Sequence, residues 1–351
     1  MPGAPPSKGP VSLEAADHGR DPALADLVPA FKPGDEVEGF RVLNELGQGA
    51  ASVIYLVQDP KTKQIWCLKH VHRGDSKDDR FLQQTICEYQ VASKLDHPNL
   101  RRVIKLAKKA KMLVQLTDVL LIMEYVDGKS MDLKPPKSFD DAIRIFQQTA
   151  AALNHMHERG FIHADMKPNN ILITPGKNDT GPQVKVIDLG QSCKTGTIKP
   201  RIQGTPDYIA PEQVHRRPIT AKTDIYNLGA TMYWTLTART IPTALAKGDS
   251  LVSRIDDALI PRPKPAIELN SRIPPKLNDL IMQCVEVDPS DRPASMSYIV
   301  DRLELILGML RARNEGSGSQ PVKDPNSSTA GMIFNASSGV GMKVGDAPGR
   351  S

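Results

Sequence analysis

Two short polar segments, each beside an apolar run, contain the side chains best suited to chemistry. Asp165 and Asn170 lie five residues apart in the segment 163–170, which leads into an apolar run, and the next apolar run, 184–187, ends at Asp188. An acid and an amide at adjacent strand ends can share Mg²⁺, which prefers oxygen ligands. Asp165 then remains as a carboxylate that can accept a proton from an incoming hydroxyl group. Either segment alone is compatible with a polar turn, but their order and spacing together favour a catalytic interpretation.

A glycine turn and a lysine precede these segments and have two interpretations each. Gly47 and Gly49 lack the Cβ atoms that would hold the backbone away from a phosphate, although ordinary hairpin turns also contain such glycines. Lys69 ends an apolar run, where it is either a solvated strand end or a cation that binds phosphate oxygens. The second interpretation needs an acidic partner, and Glu88 in the following helical stretch has the right type and distance.

The elements that must position these residues change along the chain from β-rich to helical. Apolar and β-branched residues predict strands at 40–43, 52–57 and 64–69, and the polar break at 59–62 predicts that the last two form a hairpin. Apolar residues at helical spacing predict helices at 79–95, 142–156 and 296–310. Ser138 is a suitable N-cap for the second of these helices. A β-rich part followed by a helical part predicts two lobes with a ligand cleft between them.

Composition narrows the class of protein. The chain has 351 residues, 40% of them hydrophobic, and a formal net charge of +5, which is a weak indication of anionic partners. Its four cysteines form no C-x-x-C pair, which argues against a disulfide framework or a cysteine zinc site. The apolar run 119–123 is too short to cross a bilayer, and no secretory signal is evident. We therefore expect a soluble, cytoplasmic protein with no membrane partner.

Pro- and Gly-rich stretches indicate where the folded part begins and ends. Residues 1–36 lack periodicity and predict a disordered N-terminal arm, and residues 313–351 predict a disordered C-terminal tail. The folded part is then 37–312. The basic residues between 101 and 111 predict a solvated β-turn more readily than a docking surface for an acidic partner.

From Phe40 to Leu310 the chain resembles the eukaryotic-type Ser/Thr protein kinase family, in a form similar to its bacterial members. The family elements occur in order: the glycine loop at Gly47, Lys69, Glu88, the catalytic loop at His163, the triplet at Asp188 and the Ala-Pro-Glu triplet at 210–212. Asp224 and Arg292 match the aspartate that supports the catalytic loop and the arginine that pairs with Glu212. The resemblance implies an α+β, bilobal kinase domain at 37–312, with an N-lobe at 37–125 and a C-lobe at 126–312.

The resemblance also implies an enzyme that transfers the γ-phosphate of ATP to a protein hydroxyl. Lys69 and Glu88 form the ion pair that positions the α- and β-phosphates, Asp165 accepts the hydroxyl proton, and Lys167 reaches the transferring phosphate. The implied ligands of Mg²⁺, with Mn²⁺ as an alternative, are Asn170 and Asp188. The implied nucleotide-binding residues are Leu46, Gly47, Gly49, Val53, Cys67, Lys69, Met123, Glu124, Val126, Asp127 and Leu172.

Lys167 and Thr205 match the Ser/Thr version of the kinase site, so protein substrates with Ser or Thr acceptors are expected, and no nucleic acid. Asn169 stands where several kinases that prefer basic substrates have an acid, which argues against a strong preference for Arg before the target. The sequence carries no signal of oligomeric state.

Four residues depart from the family pattern: Ala164 replaces the arginine before the catalytic aspartate, Leu189 replaces phenylalanine, Ser52 the third loop glycine and Cys67 the usual alanine. The missing arginine normally pairs with a phosphate on the activation segment, so we hypothesise activity without that phosphate. Candidate phosphorylation sites in the segment are Ser192, Thr195 and Thr197.

Two other classes of protein share parts of this pattern. A pseudokinase would bind partners or ATP without turnover, but Lys69, Asp165, Asn170 and Asp188 are all retained. A small-molecule phosphotransferase would generally lack the platform for a peptide substrate, and the chain has that platform at 204–212. An active protein kinase is therefore the preferred prediction.

Overall fold

The computed structural model describes residues 30–49, 51–74, 79–111, 115–176, 181–245 and 256–316. Most of the predicted arm, residues 1–29, and most of the predicted tail, residues 317–351, lie outside this part of the chain. The packed structure extends into both predicted segments. Phe31 stacks on His70, and the last helix continues to Gly316.

One antiparallel sheet forms the N-terminal lobe. Its strands are β1 (Glu36–Val37), β2 (Phe40–Gly49), β3 (Ser52–Gln58), β4 (Ile65–His72), β5 (Val103–Lys111) and β6 (Gln115–Glu124). They lie in the order β1-β2-β3-β4-β6-β5, so β5 is an edge strand. The predicted hairpin is present, because β3 and β4 pair from Ser52↔Val71 to Gln58↔Ile65.

The basic stretch before residue 112 is a strand and not the predicted turn. Residues 103–111 form β5, and Lys105, Lys108, Lys109 and Lys111 are exposed on it. Val103 and Leu106 pack inward, which gives this stretch enough apolar surface to join the sheet despite its lysines. Exposed lysines on an edge strand also disfavour pairing with another chain.

Helix α1 (Asp79–Ala92) packs on one face of the sheet and ends three residues before the predicted position. Its Leu82 and Ile86 bury against Val71 and Val119. The opposite face has a separate core around Tyr55, which includes further residues of β3, β4 and β6. Because strand side chains alternate between faces, Lys69 on β4 is on the side of α1.

The C-terminal lobe is mainly helical. Its helices are α2 (Phe139–Glu158), α3 (Pro211–Val214), α4 (Ala221–Thr237), α5 (Ala266–Leu269), α6 (Pro275–Cys284) and α7 (Met296–Gly316). Short strands complete the lobe: β7 (Lys129–Ser130), β8 (Phe161–Ile162), β9 (Ile171–Thr174), β10 (Gln183–Val186) and β11 (Cys193–Lys194). The predicted cap is present, since the Ser138 Oγ accepts a hydrogen bond from the Asp141 amide at 3.0 Å. Within the described residues, no helix has the length and apolar character needed to span a membrane.

Candidate active site

The backbone of the segment 163–170 is held in place by one buried carboxylate, that of Asp224. Asp224 on α4 is fully buried and accepts hydrogen bonds from the backbone amides of His163 and Ala164, both at 2.8 Å. His157 contacts the same carboxylate through Nε2 at 2.8 Å. Burial alone would raise the pKa of Asp224, but these neighbours outweigh burial and lower it. Asp224 therefore stays charged and fixes the turn, in which Ala164 has a φ of 62°.

Three side chains meet above this turn. The Thr205 hydroxyl donates to Oδ1 of Asp165 at 2.8 Å, and the Lys167 ammonium lies 3.1 Å from Oδ2 of the same carboxylate. Lys167 also donates to the Thr205 oxygen at 2.8 Å. The carboxylate is thus oriented at both oxygens, which is the arrangement required of a group that must meet a substrate hydroxyl in one position.

Asn170 and Asp188 lie at neighbouring strand ends. Strands β9 and β10 are antiparallel, and the Ile187 amide donates to the Asn170 carbonyl at 2.9 Å. The Asn170 side chain uses Nδ2 to bond the Asp165 carbonyl at 2.8 Å, which leaves its amide oxygen as the atom for a cation. The carboxylate of Asp188 supplies a second oxygen donor, so the pair fits the oxygen preference of Mg²⁺.

Lys69 of β4 and Glu88 of α1 form the expected ion pair, with 2.8 Å between Nζ and Oε2. Burial alone would lower the pKa of Lys69, but Glu88 and Asp188 raise it above its ordinary value. Burial would likewise raise the pKa of Asp188, but Lys69 is foremost among the groups that lower it. Both side chains are therefore charged at neutral pH.

These groups open onto one cleft of about 250 Å³ between the lobes. Lys69, Asp165, Lys167 and Asp188 line it, together with Ser52 from the glycine turn. Cys67, Met123 and Leu46 belong to one apolar cluster, on the same face of β4 as Lys69. The prediction of Val53 beside the adenine is wrong, because Val53 is buried in the core on the opposite face of the sheet. Strand side chains alternate between faces, so its neighbour Ile54 lies in the cluster with Cys67 and Met123 instead.

The segment 124–127 leads from β6 into the C-terminal lobe. The side chain of Glu124 pairs with Lys185 at 3.0 Å, and its backbone amide donates to the Arg102 carbonyl at 2.8 Å. The Val126 carbonyl accepts a bond from the Gly128 amide at 2.9 Å. These contacts fix the connection against which a purine ring would lie.

Sequence reasoning missed two residues that support the site. Arg101 lies 3.7 Å from the second oxygen of Glu88, where it was predicted only as part of a solvated turn. Gln213 is buried and donates through Nε2 to the Ala164 carbonyl at 2.8 Å. The only indication of this role in the sequence is that Gln213 directly follows the Ala-Pro-Glu triplet. A single glutamine at that position does not form a recognisable motif.

The prediction of Ser192 as a phosphorylation site is wrong, because this residue is not accessible. Its side chain is buried, with a relative exposure of 3%, and its hydroxyl donates to the His163 carbonyl at 3.5 Å. Thr195 is exposed and Thr197 is partly exposed. Only these two remain accessible among the three candidates.

The segment 204–212 rests on a second buried ion pair. Arg292 binds both oxygens of Glu212, at 2.8 and 3.0 Å, and Thr223 donates to the same carboxylate at 2.8 Å. Asn227 of α4 holds the segment above this pair by donating to the Tyr208 carbonyl at 2.7 Å. The segment 204–212 is therefore anchored to α4 and to the loop before α7.

Comparison with known proteins agrees with this geometry. The protein kinase domain family matches residues 40–302. The serine/threonine-protein kinase PrkC of Bacillus subtilis is 29% identical over 268 residues, which are 74% of this chain and 39% of PrkC. The serine/threonine-protein kinase pkn2 of Myxococcus xanthus is 26% identical, over 87% of this chain and 38% of that protein. The chain thus spans about two fifths of the length of these curated relatives.

Solved structures support the fold. The kinase domain of PknI from Mycobacterium tuberculosis superposes with a TM-score of 0.59 at 22% identity, covering 79% of this chain and 99% of that domain. The match in fold, the family match over most of the chain and the ordered site lead to one assignment. The chain belongs to the protein kinase domain family.

Proposed function

We propose that the protein is a Mg²⁺-dependent serine/threonine protein kinase that transfers the γ-phosphate of ATP to Ser or Thr side chains of proteins. The observation that carries this proposal is the Asp165 carboxylate, bonded by Thr205 at one oxygen and paired with Lys167 at the other. A base and a cation placed side by side suit the transfer of a phosphoryl group to a hydroxyl.

Each step uses a side chain that is already positioned. Lys69, aimed by Glu88, binds the α- and β-phosphates, and Lys167 stabilises the charge on the transferring group. Asp165 orients the acceptor hydroxyl and takes its proton. Asn170 and Asp188 would hold Mg²⁺, which would supply positive charge to offset that of the phosphates. The protein contributes mainly positioning and electrostatic stabilisation.

We also propose that activity does not require a phosphate on the activation segment. Ala164 has no cationic side chain to bind one, and main-chain contacts already hold the segment. The Thr195 amide donates to the Gly160 carbonyl at 3.0 Å, and Thr197 and Ile219 form an antiparallel bridge. These contacts do the anchoring that a phosphate–arginine pair would otherwise provide.

The test of the catalytic proposal is phosphate transfer to a general acceptor protein such as casein, with ATP and Mg²⁺, by wild type and Asp165→Ala. We expect transfer by the wild type, labelling on phosphoserine or phosphothreonine, and a loss of at least about 100-fold in the variant. Equal transfer by both proteins, or the absence of transfer by the wild type, would refute the proposal. A wild type that binds ATP without transfer would be a pseudokinase.

The second proposal is tested on a preparation that mass spectrometry shows to be unphosphorylated. A double variant, Thr195→Ala with Thr197→Ala, removes the accessible candidate acceptors of the segment. We expect its rate to be within about threefold of the wild type. Within the described residues, the Thr197 hydroxyl bonds the Lys194 carbonyl and not the loop that contains Asp165. Inactivity that phosphorylation of the wild type relieves would contradict this.

A further inference from the structure

A cluster of two histidines and one aspartate lies on the face of the sheet opposite the cleft. His70 and His72 are two residues apart on β4 and therefore lie on the same face of the sheet, while Lys69 and Val71 lie on the other face. Asp118 of β6 is directly opposite His72 in the strand register. None of the three side chains takes part in the proposed kinase mechanism.

The three side chains converge on one point. Oδ1 of Asp118 lies 2.8 Å from Nε2 of His70 and 2.7 Å from Nδ1 of His72. One ligand atom from each residue can be chosen so that all lie within 4.8 Å of one another. Among the described residues, no other group of three His, Cys, Asp or Glu side chains meets this condition.

We propose that His70, His72 and Asp118 form a binding site for Zn²⁺ or a similar divalent transition metal. Two imidazoles and one carboxylate are a common ligand set for zinc, with bonds of about 2.0–2.2 Å and a fourth position for water. Mg²⁺ and Ca²⁺ prefer oxygen ligands, so the two imidazole nitrogens select against them.

Binding requires only a small rearrangement. Tetrahedral coordination separates ligand atoms by roughly 3.3 Å, so the two contacts to Asp118 must lengthen by about 0.5 Å. The ring nitrogens of the two histidines, which lie within 4.8 Å of each other, must reach the same separation. The strand backbones can stay in place, because such a shift is within the reach of side-chain rotation. The side chain of His72 is 22% exposed and that of Asp118 14%, which gives the ion a path from solvent.

The proton balance is also simple. Each ring nitrogen that now faces Asp118 must instead offer a lone pair to the metal, so a proton on that nitrogen moves to the other ring nitrogen. Asp118 is already a carboxylate, and no proton needs to leave the cluster. Nδ1 of His70 is buried without a hydrogen-bond partner, so a proton moved to that nitrogen would have no acceptor.

A bound metal would link β4, the strand that carries Lys69, to its neighbour β6. It would also fix the imidazole on which Phe31 stacks, with 4.9 Å between the ring centroids. Phe31 is further held by its amide, which donates to the Tyr55 hydroxyl at 3.2 Å. The site would thus connect the segment around Phe31 to β4 and β6 of the sheet.

The test uses untagged, chelator-treated protein of full length, dialysed against ZnCl₂ with excess Mg²⁺ to occupy oxygen-rich sites. We expect one zinc per chain. His72→Gln and Asp118→Asn should bind it at least about tenfold more weakly. His155→Gln, a histidine of the other lobe, and Asp188→Asn, in the cleft, should bind zinc as the wild type does.

Zinc binding that His72→Gln and Asp118→Asn leave unchanged, or binding that Asp188→Asn abolishes, would overturn the proposal. A measurement on the wild type alone guards against misfolded variants. CoCl₂ in place of zinc should give the intense visible absorption of a four-coordinate cobalt site with nitrogen ligands. The weak spectrum of six-coordinate, oxygen-bound cobalt, or no binding, would also overturn it.

Discussion

Gln213 joins the catalytic loop to the segment 204–212, because its Nε2 donates to the Ala164 carbonyl at 2.8 Å. Its Oε1 accepts from the Ala210 amide at 2.9 Å and from Asn227 at 3.0 Å. Ala164 stands where the family has an arginine, and its backbone is held between Gln213 and Asp224. The loop is therefore fixed through its main chain and not through a side chain at position 164.

Replacement of Gln213 by leucine should destabilise the protein. The change leaves the buried Ala164 carbonyl and Ala210 amide without this partner, and each such group costs about 1–3 kcal/mol. We expect the free energy of unfolding in urea to fall by about 3 kcal/mol. The exposed Gln64→Leu is the control and should change little, so equal effects would contradict the role of this network.

The hydroxyl of Thr205 should matter more for turnover than for nucleotide binding. Thr205→Val keeps the shape but loses the bonds to Asp165 and Lys167, whereas Thr205→Ser keeps a hydroxyl. We expect kcat to fall by about 10–100-fold in the valine variant, with the KM for ATP nearly unchanged, and by less than about threefold in the serine variant. Equal losses in both would indicate that packing and not the hydroxyl is responsible.

Removal of the lysine of the ion pair should weaken the use of ATP. Lys69→Met leaves Glu88 without its partner at 2.8 Å, and we expect kcat/KM for ATP to fall by about 100-fold. Arg101→Gln is a matched control, since Arg101 meets the same carboxylate at the longer distance of 3.7 Å. Its loss should be less than about tenfold, and a larger loss than in Lys69→Met would contradict the assignment.

Asp224 should contribute a stability that disappears in acid. Its pKa is lower in the folded protein than in the unfolded chain, so its contribution is present above about pH 4 and is lost as pH falls through the folded pKa. Asp224→Asn cannot titrate. We expect this variant to be less stable than the wild type at pH 7, and the gap between their urea midpoints to narrow below about pH 4. A gap that widens in acid would contradict the sign.

The buried ion pair of Arg292 and Glu212 should contribute far more to the free energy of unfolding than an exposed ion pair does. Arg292→Met leaves a buried carboxylate without its bidentate partner, and we expect a loss of about 3–5 kcal/mol in urea unfolding. Arg262→Met removes an arginine whose side chain is 79% exposed and bonded to Glu286 at 2.7 Å. Its midpoint should stay close to that of the wild type, because water screens an exposed pair.

Local patterns in the sequence predicted the elements that depend on near neighbours. The strand periodicity around the polar break at 59–62 predicted the β3–β4 hairpin, and Ser138 predicted the start of α2. The cap joins residues three apart, and the hairpin pairs two strands joined by one short turn, so both depend on neighbours along the chain. The basic stretch that forms β5 was misread, because its few apolar residues acquire their importance only against β6.

The order of the family elements was also enough to select the residues of the candidate site. Lys69, Glu88, Asp165 and Asp188 are recognisable by type and spacing, and the fold brings each of them to the cleft or to its edge. The sequence did not indicate the further side chains that contact these residues in the folded protein. Arg101 beside Glu88 is such a case, since a contact across strands and helices has no fixed spacing along the chain.

The sequence by itself determined the type of chemistry, because the residues that carry it lie in short, ordered motifs. Only the tertiary structure decided which side chains hold those motifs in place, as Gln213 does for Ala164, and which lie together elsewhere. His70, His72 and Asp118 illustrate the second case, since the aspartate is 46 residues from His72 along the chain and 2.7 Å from it in space. The physical reason is that sheet register and burial arise from packing of the whole chain, which local spacing does not record.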